Sequence, residues 1–117
     1  MEPIFDSSGQ VVGWISDGSL VNRSNDHVAF LHEGAVFSYQ RGHLGTFDQG
    51  FFRDQNGHAV AFVEGAHGGP VKPIQSVPPV PAVPPVPPVQ PVAPVAPIPP
   101  NPSLSWSSLS WDEFMLD

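Results

Sequence analysis

Ile4-Phe5-Asp6-Ser7-Ser8-Gly9-Gln10-Val11-Val12-Gly13-Trp14-Ile15 reads as an apolar pair, a polar turn and an alternating run. Four of its slots return at a step of 16 residues, giving the sets Ile4/Leu20/Val36/Phe52, Val12/Val28/Leu44/Val60, Gly13/Ala29/Gly45/Ala61 and Ile15/Leu31/Phe47/Val63. A fixed period of this kind marks a repeated supersecondary unit. In each copy Asp, Ser or Asn and usually Gly follow the first apolar pair, and a second short turn such as Ser16-Asp17-Gly18 closes the copy. Asp and Ser bond their own backbone and Gly supplies positive φ, so both stretches are chain reversals and each copy is a β-hairpin. The second copy departs most, because Asn22 to Asp26 contains no glycine.

Four hairpins give eight strands of about five residues, the up-and-down pattern of an all-β domain. Eight strands suffice to close a sheet around side chains, and closure removes free edges. Period-2 alternation puts Gly13 and Ile15, Ala29 and Leu31, Gly45 and Phe47, Ala61 and Val63 on one face, small at one level and large at the next. The expectation is therefore that Ile15, Leu31, Phe47 and Val63 line the core, or an apolar ligand if the centre holds one. The same alternation places Val12/Trp14, Val28/Phe30, Leu44/Thr46 and Val60/Phe62 on the opposite face, expected to pack between hairpins.

The chain has 117 residues, 16 prolines and no cysteine, and 15 of the prolines fall between Pro70 and Pro102. The ordered domain is thus expected at residues 3–69, followed by a polyproline linker at 70–102 and an acidic aromatic peptide at 103–117. A net charge of −7 with four basic residues lacks the positive footprint that nucleic acid requires. No segment approaches the roughly 20 apolar residues of a spanning helix. Met1-Glu2-Pro3 has no basic start followed by an apolar run, and the absence of disulfides agrees with it, so the expected compartment is the cytoplasm.

The repeat resembles the bacterial 4-fold beta flower domain family. The resemblance is carried by Ile4 to Ile15, by Gly42-His43-Leu44-Gly45, by Gly50-Phe51-Phe52-Arg53-Asp54-Gln55-Asn56-Gly57 and by the Gly68-Gly69-Pro70 exit. Covering Ile4 to about Pro73, it implies a shallow, pseudo-fourfold barrel of four hairpins with an apolar centre, to which the proline content adds the expectation of a disordered Pro-rich tail. It implies no activity.

From Val71 to Pro102 proline alternates with valine and alanine, which excludes helix and sheet and leaves polyproline II, a semi-rigid spacer of about 100 Å if straight. Overlapping PxxP steps fit aromatic grooves in principle, but Lys72 is the one nearby cation, which favours the spacer. In the last segment Ser110 and Glu113 form a capping box, and Trp111, Phe114 and Met115 fall on one helical face. So short a helix orders only when docked. Trp106, Leu109, Trp111, Phe114 and Met115 are therefore expected to anchor on an unidentified protein partner. The alternative is that they fold back onto Trp14, Phe30 and Phe62 or plug the barrel. The oligomeric state stays open, with a homo-oligomer among the choices.

No chemistry is legible beyond this. His32-Glu33 lacks the second histidine of a zinc-protease helix, and Asp54 to Gly57 is a turn too short for a calcium loop. His27 and His43 share a slot but make only half a metal site, and Asp17, Glu33 and Glu64 read as solvated turn acids. The sequence calls for no catalytic residue, no metal and no cofactor. Its reading is a non-enzymatic adaptor, with a binder of an apolar ligand or lipid chain as the alternative.

Overall fold

The computed structural model describes residues 1–40, 42–79, 83, 85–88 and 98–116. Eight strands, β1 (Glu2–Asp6), β2 (Val11–Ser16), β3 (Ser19–Asn22), β4 (His27–His32), β5 (Ala35–Ser38), β6 (Gly42–Asp48), β7 (Phe51–Arg53) and β8 (Ala59–Phe62), are followed by one helix, α1 (Trp111–Leu116). The strands pair antiparallel in chain order and β8 returns to β1 through Phe5↔Phe62 and Asp6↔Ala61, so the barrel is closed. This is the all-β, four-hairpin barrel that the repeat predicts.

Two kinds of turn, both repeated, set the register. Between hairpins, Asp17-Gly18, Glu33-Gly34 and Gln49-Gly50 all have positive φ, the type I′ geometry whose twist matches the strands it joins. At the hairpin tips the slot Asp6, Asn22, Ser38 and Asp54 accepts hydrogen bonds from backbone two or four residues on. Asn25, at φ 69°, takes the tip position that Gly9 and Gly57 hold in their copies. Asparagine tolerates this left-handed region, so the second copy folds like the others although its tip has no glycine.

Each hairpin also carries a β-bulge one step from its centre. Ile4 pairs with Gly13 but Phe5 pairs with Val11, and the same skip follows Leu20↔Ala29, Val36↔Gly45 and Phe52↔Ala61. Two residues then oppose one, and the extra residue leaves the alternation. The expected face assignment is corrected here: Val12, Val28, Leu44 and Val60 turn inward and pack with Ile4, Leu20, Val36 and Phe52 in the central cluster. Ile15, Leu31, Phe47 and Val63 pack against the same cluster, as the alternation predicts. All four repeated slots thus meet at the centre.

The opposite face of the strands packs sideways between hairpins. One group contains Phe5, Val11, Trp14, Phe51, Ala59, Phe62 and Ala66, and another Phe30, Ala35 and Phe37 with Tyr39. Phe5 stacks on Phe62 across the closing seam at 5.5 Å between ring centroids, which ties the last hairpin to the first. In the first group and in Phe30, the outward slots therefore do pack as expected.

Phe52 is fully buried in the central ring, whereas Ile74 in the tail is 94% exposed. Phe52→Ala should lower the unfolding free energy by about 3–5 kcal/mol, and Ile74→Gln should change it by less than about 0.5 kcal/mol. Urea unfolding of the full chain followed by circular dichroism checks both.

Candidate functional site

The largest polar departure from the repeat lies in the fourth hairpin. Phe5, Val21 and Phe37 occupy one slot in the first three copies, and the fourth copy has Arg53 there, only 2% exposed. Its guanidinium donates to three carbonyls: Nη1 to Gly57 (2.8 Å) and Ser103 (2.7 Å), Nη2 to Gly68 (3.1 Å). It also lies over the Phe51 ring, 5.5 Å from its centroid. Burial lowers its pKa from the usual guanidinium value, and the charge of Asp48 opposes that shift. Gly57 belongs to the hairpin's own tip, Gly68 to the segment leaving the barrel, and Ser103 to the segment coming back. One planar fork therefore joins three passes of the chain.

The returning segment docks as an added strand. Pro102 is the last proline, so from Ser103 onward every residue has an N–H to donate. Ser103 N–H donates to Gly57 O, Ala59 N–H to Ser105 O, and Ser107 N–H to Ala59 O, making a parallel bridge between Trp106 and Ala59. The Ser107 hydroxyl donates to Oδ2 of Asp54 at 2.5 Å, while Oδ1 of the same carboxylate, 4% exposed, caps the hairpin tip. The Ser103 hydroxyl meets Nδ1 of His58 at 3.0 Å. Between these polar contacts Trp106 turns into an aromatic box of Phe51 and Phe62, at centroid distances of 6.2 and 6.0 Å.

Four residues later the chain forms α1. Ser110 N–H donates to Glu113 Oε1 and Glu113 N–H to Ser110 Oγ, the capping box expected from the sequence. These hydrogen bonds hold the Glu113 carboxylate below its usual pKa. Trp111 and Phe114 are buried in the central cluster, and Met115 packs against it. Trp111 meets Phe52 edge to face at 5.3 Å. A Cβ on Gly45 would lie 3.0 Å from Phe114 and 2.0 Å from the carbonyl oxygen of Arg53. The small ring of the repeat thus leaves the room that α1 fills.

The five residues assigned to partner binding are accounted for as follows. Trp106, Trp111, Phe114 and Met115 dock on this chain's own barrel, and Leu109 is half-buried between them with its N–H on Ser107 Oγ. Of the alternatives, the plug describes Trp111 and Phe114, whereas the expected fold-back onto Trp14, Phe30 and Phe62 is corrected: Trp106 packs on Phe51 and Phe62, and Phe30 packs with Ala35, Phe37 and Tyr39 instead. The reason is the match between Ser103 to Ser107 and the open backbone of Gly57 and Ala59, which hydrophobic spacing does not reveal. Arg53 and Asp54, missed at the sequence level, had one signal: a charge in an apolar slot of a repeat.

The described residues between exit and return also touch the barrel, tip by tip. Ser76 donates to Gly9 O, Asn25 donates to Val83 O, and Nε2 of His27 meets Pro85 O. With Asn101 over Gly57, the chain visits the tips of the first, second and fourth hairpins in order. Nδ1 of His27 meets Ser19 Oγ at 2.6 Å, so both its ring nitrogens are engaged. Among the described residues no group of three metal-ligating side chains comes together.

The sequence model of the 4-fold beta flower protein matches residues 2–115. The chain belongs to the beta flower family. No curated protein and no solved structure matches it. Because the match runs past Phe114, the flower unit takes in the strand-like segment and the helix as well as the four hairpins. In this flower the petals are the hairpins and α1 fills the centre.

Two outcomes follow. Arg53→Ala should cost about 3 kcal/mol, charged hydrogen bonds being worth about 1.5–3 kcal/mol each, and should shift tryptophan emission to the red as Trp106 is released. Arg53→Lys should recover only part of this, since an ammonium cannot span the fork. His43, packed edge to face on Phe37 at 5.5 Å, has a pKa lowered by burial, against a backbone hydrogen bond at Gly45 that raises it. A lowered folded pKa means that the unfolded chain binds more protons, so this stability is complete above the ordinary value of 6.5 and is lost as pH falls through the folded value. His43→Val, the residue of the first copy, should flatten the decline of the urea midpoint on acidification below about pH 6.5.

Proposed function

We propose that this beta flower is a non-enzymatic interaction module whose partner-facing element is the Pro-rich segment. The observation that carries this reading is the direction of its side chains. Val71, Ile74, Val77, Val83, Val86 and Ile98 are each 90% or more exposed, while the backbone and hydroxyl groups beside them bond inward to the hairpin tips. Isolated apolar residues on a surface need no explanation, but a row of them on a proline-rich strand has the form that aromatic-lined grooves recognise. Tethering to the tips removes part of the ordering entropy that a free proline-rich chain loses on binding. The aromatic C-terminal peptide serves this module from inside, since Trp111 and Phe114 complete its core.

The centre supports an apolar-ligand reading less well. Ile4, Leu20, Val36, Phe52, Trp111 and Phe114 occupy it together, and a lipid chain would have to displace α1. The expected partner is therefore a protein with an aromatic groove, and its engagement leaves the barrel closed.

A photo-crosslinking amino acid at position 77, 83 or 86 should give discrete adducts in cells, and one at exposed Asp17, in the turn between the first two hairpins, should not. Val77, Val83 and Val86 replaced together by glutamine should abolish adducts from a probe at position 74 with an unchanged melting temperature. Adducts that are equal from position 17, or that persist in the triple variant, would refute the proposal.

A further inference from the structure

We infer that the site formed by Arg53, Asp54, Ala59 and the mouth of the barrel accepts the C-terminal segment of a second copy of this chain, so that two flowers exchange their plugs. The site holds residues 103–115 of the chain itself through an added-strand bridge at Ala59, a hydroxyl on Asp54, a tryptophan between Phe51 and Phe62, and a helix over Gly45. Added-strand pairing and aromatic anchors on a short helix are the means by which proteins bind separate peptides. The site is thus a peptide receptor whose ligand is attached, and an identical ligand on a neighbour satisfies it equally.

What decides between own and neighbouring ligand is the tether, and three features loosen its hold. First, more than thirty residues separate the exit at Gly68 from Ser103, a span of about 100 Å when extended as polyproline II, against a molecule 35 Å across. Second, the exit at Gly68 and the return at Ser103 meet on one guanidinium, so the ends of the tether are brought together, and a proline-rich chain resists bending. Third, the described residues of the tether meet the first two tips through few hydrogen bonds, two from Ser76 and one each at Val83 and Pro85, with apolar side chains left in solvent. The plug itself is not perfectly satisfied: the indole N–H of Trp111 is buried without an acceptor among the described residues. Exchange loses no contact of the docked segment, the usual condition for swapping. The local concentration of the attached plug, of about millimolar order for a short flexible tether and lower for one that is long and stiff, sets the protein concentration at which exchange competes.

The chain has no cysteine, which permits a direct test with full-length single-cysteine variants. His58→Cys and Ser103→Cys, at positions in side-chain contact, are mixed and oxidised under mild conditions at concentrations up to about 1 mM. The expected result is a covalent heterodimer whose yield rises with concentration and exceeds several-fold that of His58→Cys mixed with Asp17→Cys, an exposed position in the turn between the first two hairpins. The double variant His58→Cys/Ser103→Cys should close on itself at low concentration, which shows that the pair is competent to bond. Trp111→Ala/Phe114→Ala placed in the Ser103→Cys chain should remove the heterodimer, while the other chain keeps its own plug and its fold. Heterodimer no more abundant than the control pairing, or light scattering that reports a monomer at every concentration, would overturn the inference.

Discussion

The structure depends on one steric constraint: four bulky side chains, Ile4, Leu20, Val36 and Phe52, point inward, each opposite a glycine or alanine on the paired strand. A barrel this small brings strands so close at that level that a Cβ on Gly45 would overlap the backbone of Arg53. Large opposite small is therefore the arrangement in which four hairpins can converge without collision and without a void. The bulge beside each pair adds Val12, Val28, Leu44 and Val60 to the same centre. It does so by breaking alternation once per hairpin, which also sharpens the twist that bends eight short strands into a closed ring.

How far the sequence discloses this varies with the physical origin of each feature. The four hairpins and their closure were legible, because equal slots at Ile4, Leu20, Val36 and Phe52 record a geometric equivalence that a repeat must preserve. The capping box at Ser110 and Glu113 was legible because a cap is a local bargain between neighbours. The inward turn of Val12 and its equivalents was not, because a bulge depends on a one-residue slip between strands and leaves alternation on either side intact. The docking of Ser103 to Ser107 was hidden for a related reason. It depends on free carbonyl and N–H groups at Gly57 and Ala59, and backbone groups have no letter in a sequence. Arg53 lay between these cases: visible as an odd charge in an apolar slot, but without a partner until the tail was placed beside it.

Arg53 also shows how a buried charge can be held without an acid. Its three acceptors are carbonyl dipoles, and Asp48 contributes at longer range. A carboxylate in the same place would neutralise the charge but join fewer strands, whereas three carbonyls from three passes turn the solvation of one cation into a connection between hairpin, exit and return. The arrangement is cooperative by construction. Withdrawing any of the three segments leaves the guanidinium short of acceptors in a dry place, where an unpaired charge is most costly.

A barrel of about 65 residues buries too little surface to be secure on its own. Trp111 and Phe114, both buried, add aromatic burial worth about 1.5–3 kcal/mol each, a large fraction of the net stability of a small domain, and the partly buried Trp106 adds to it. The described residues of the proline-rich strap between them and β8 are mostly exposed, with Val71, Ile74 and Val77 more than nine-tenths so. The buried aromatic residues of the last segment thus share one core with hairpins far away in sequence. Because the strap adds reach more than energy, the requirement placed on the last segment is that it be present at the mouth, which is a condition of concentration as much as of connectivity.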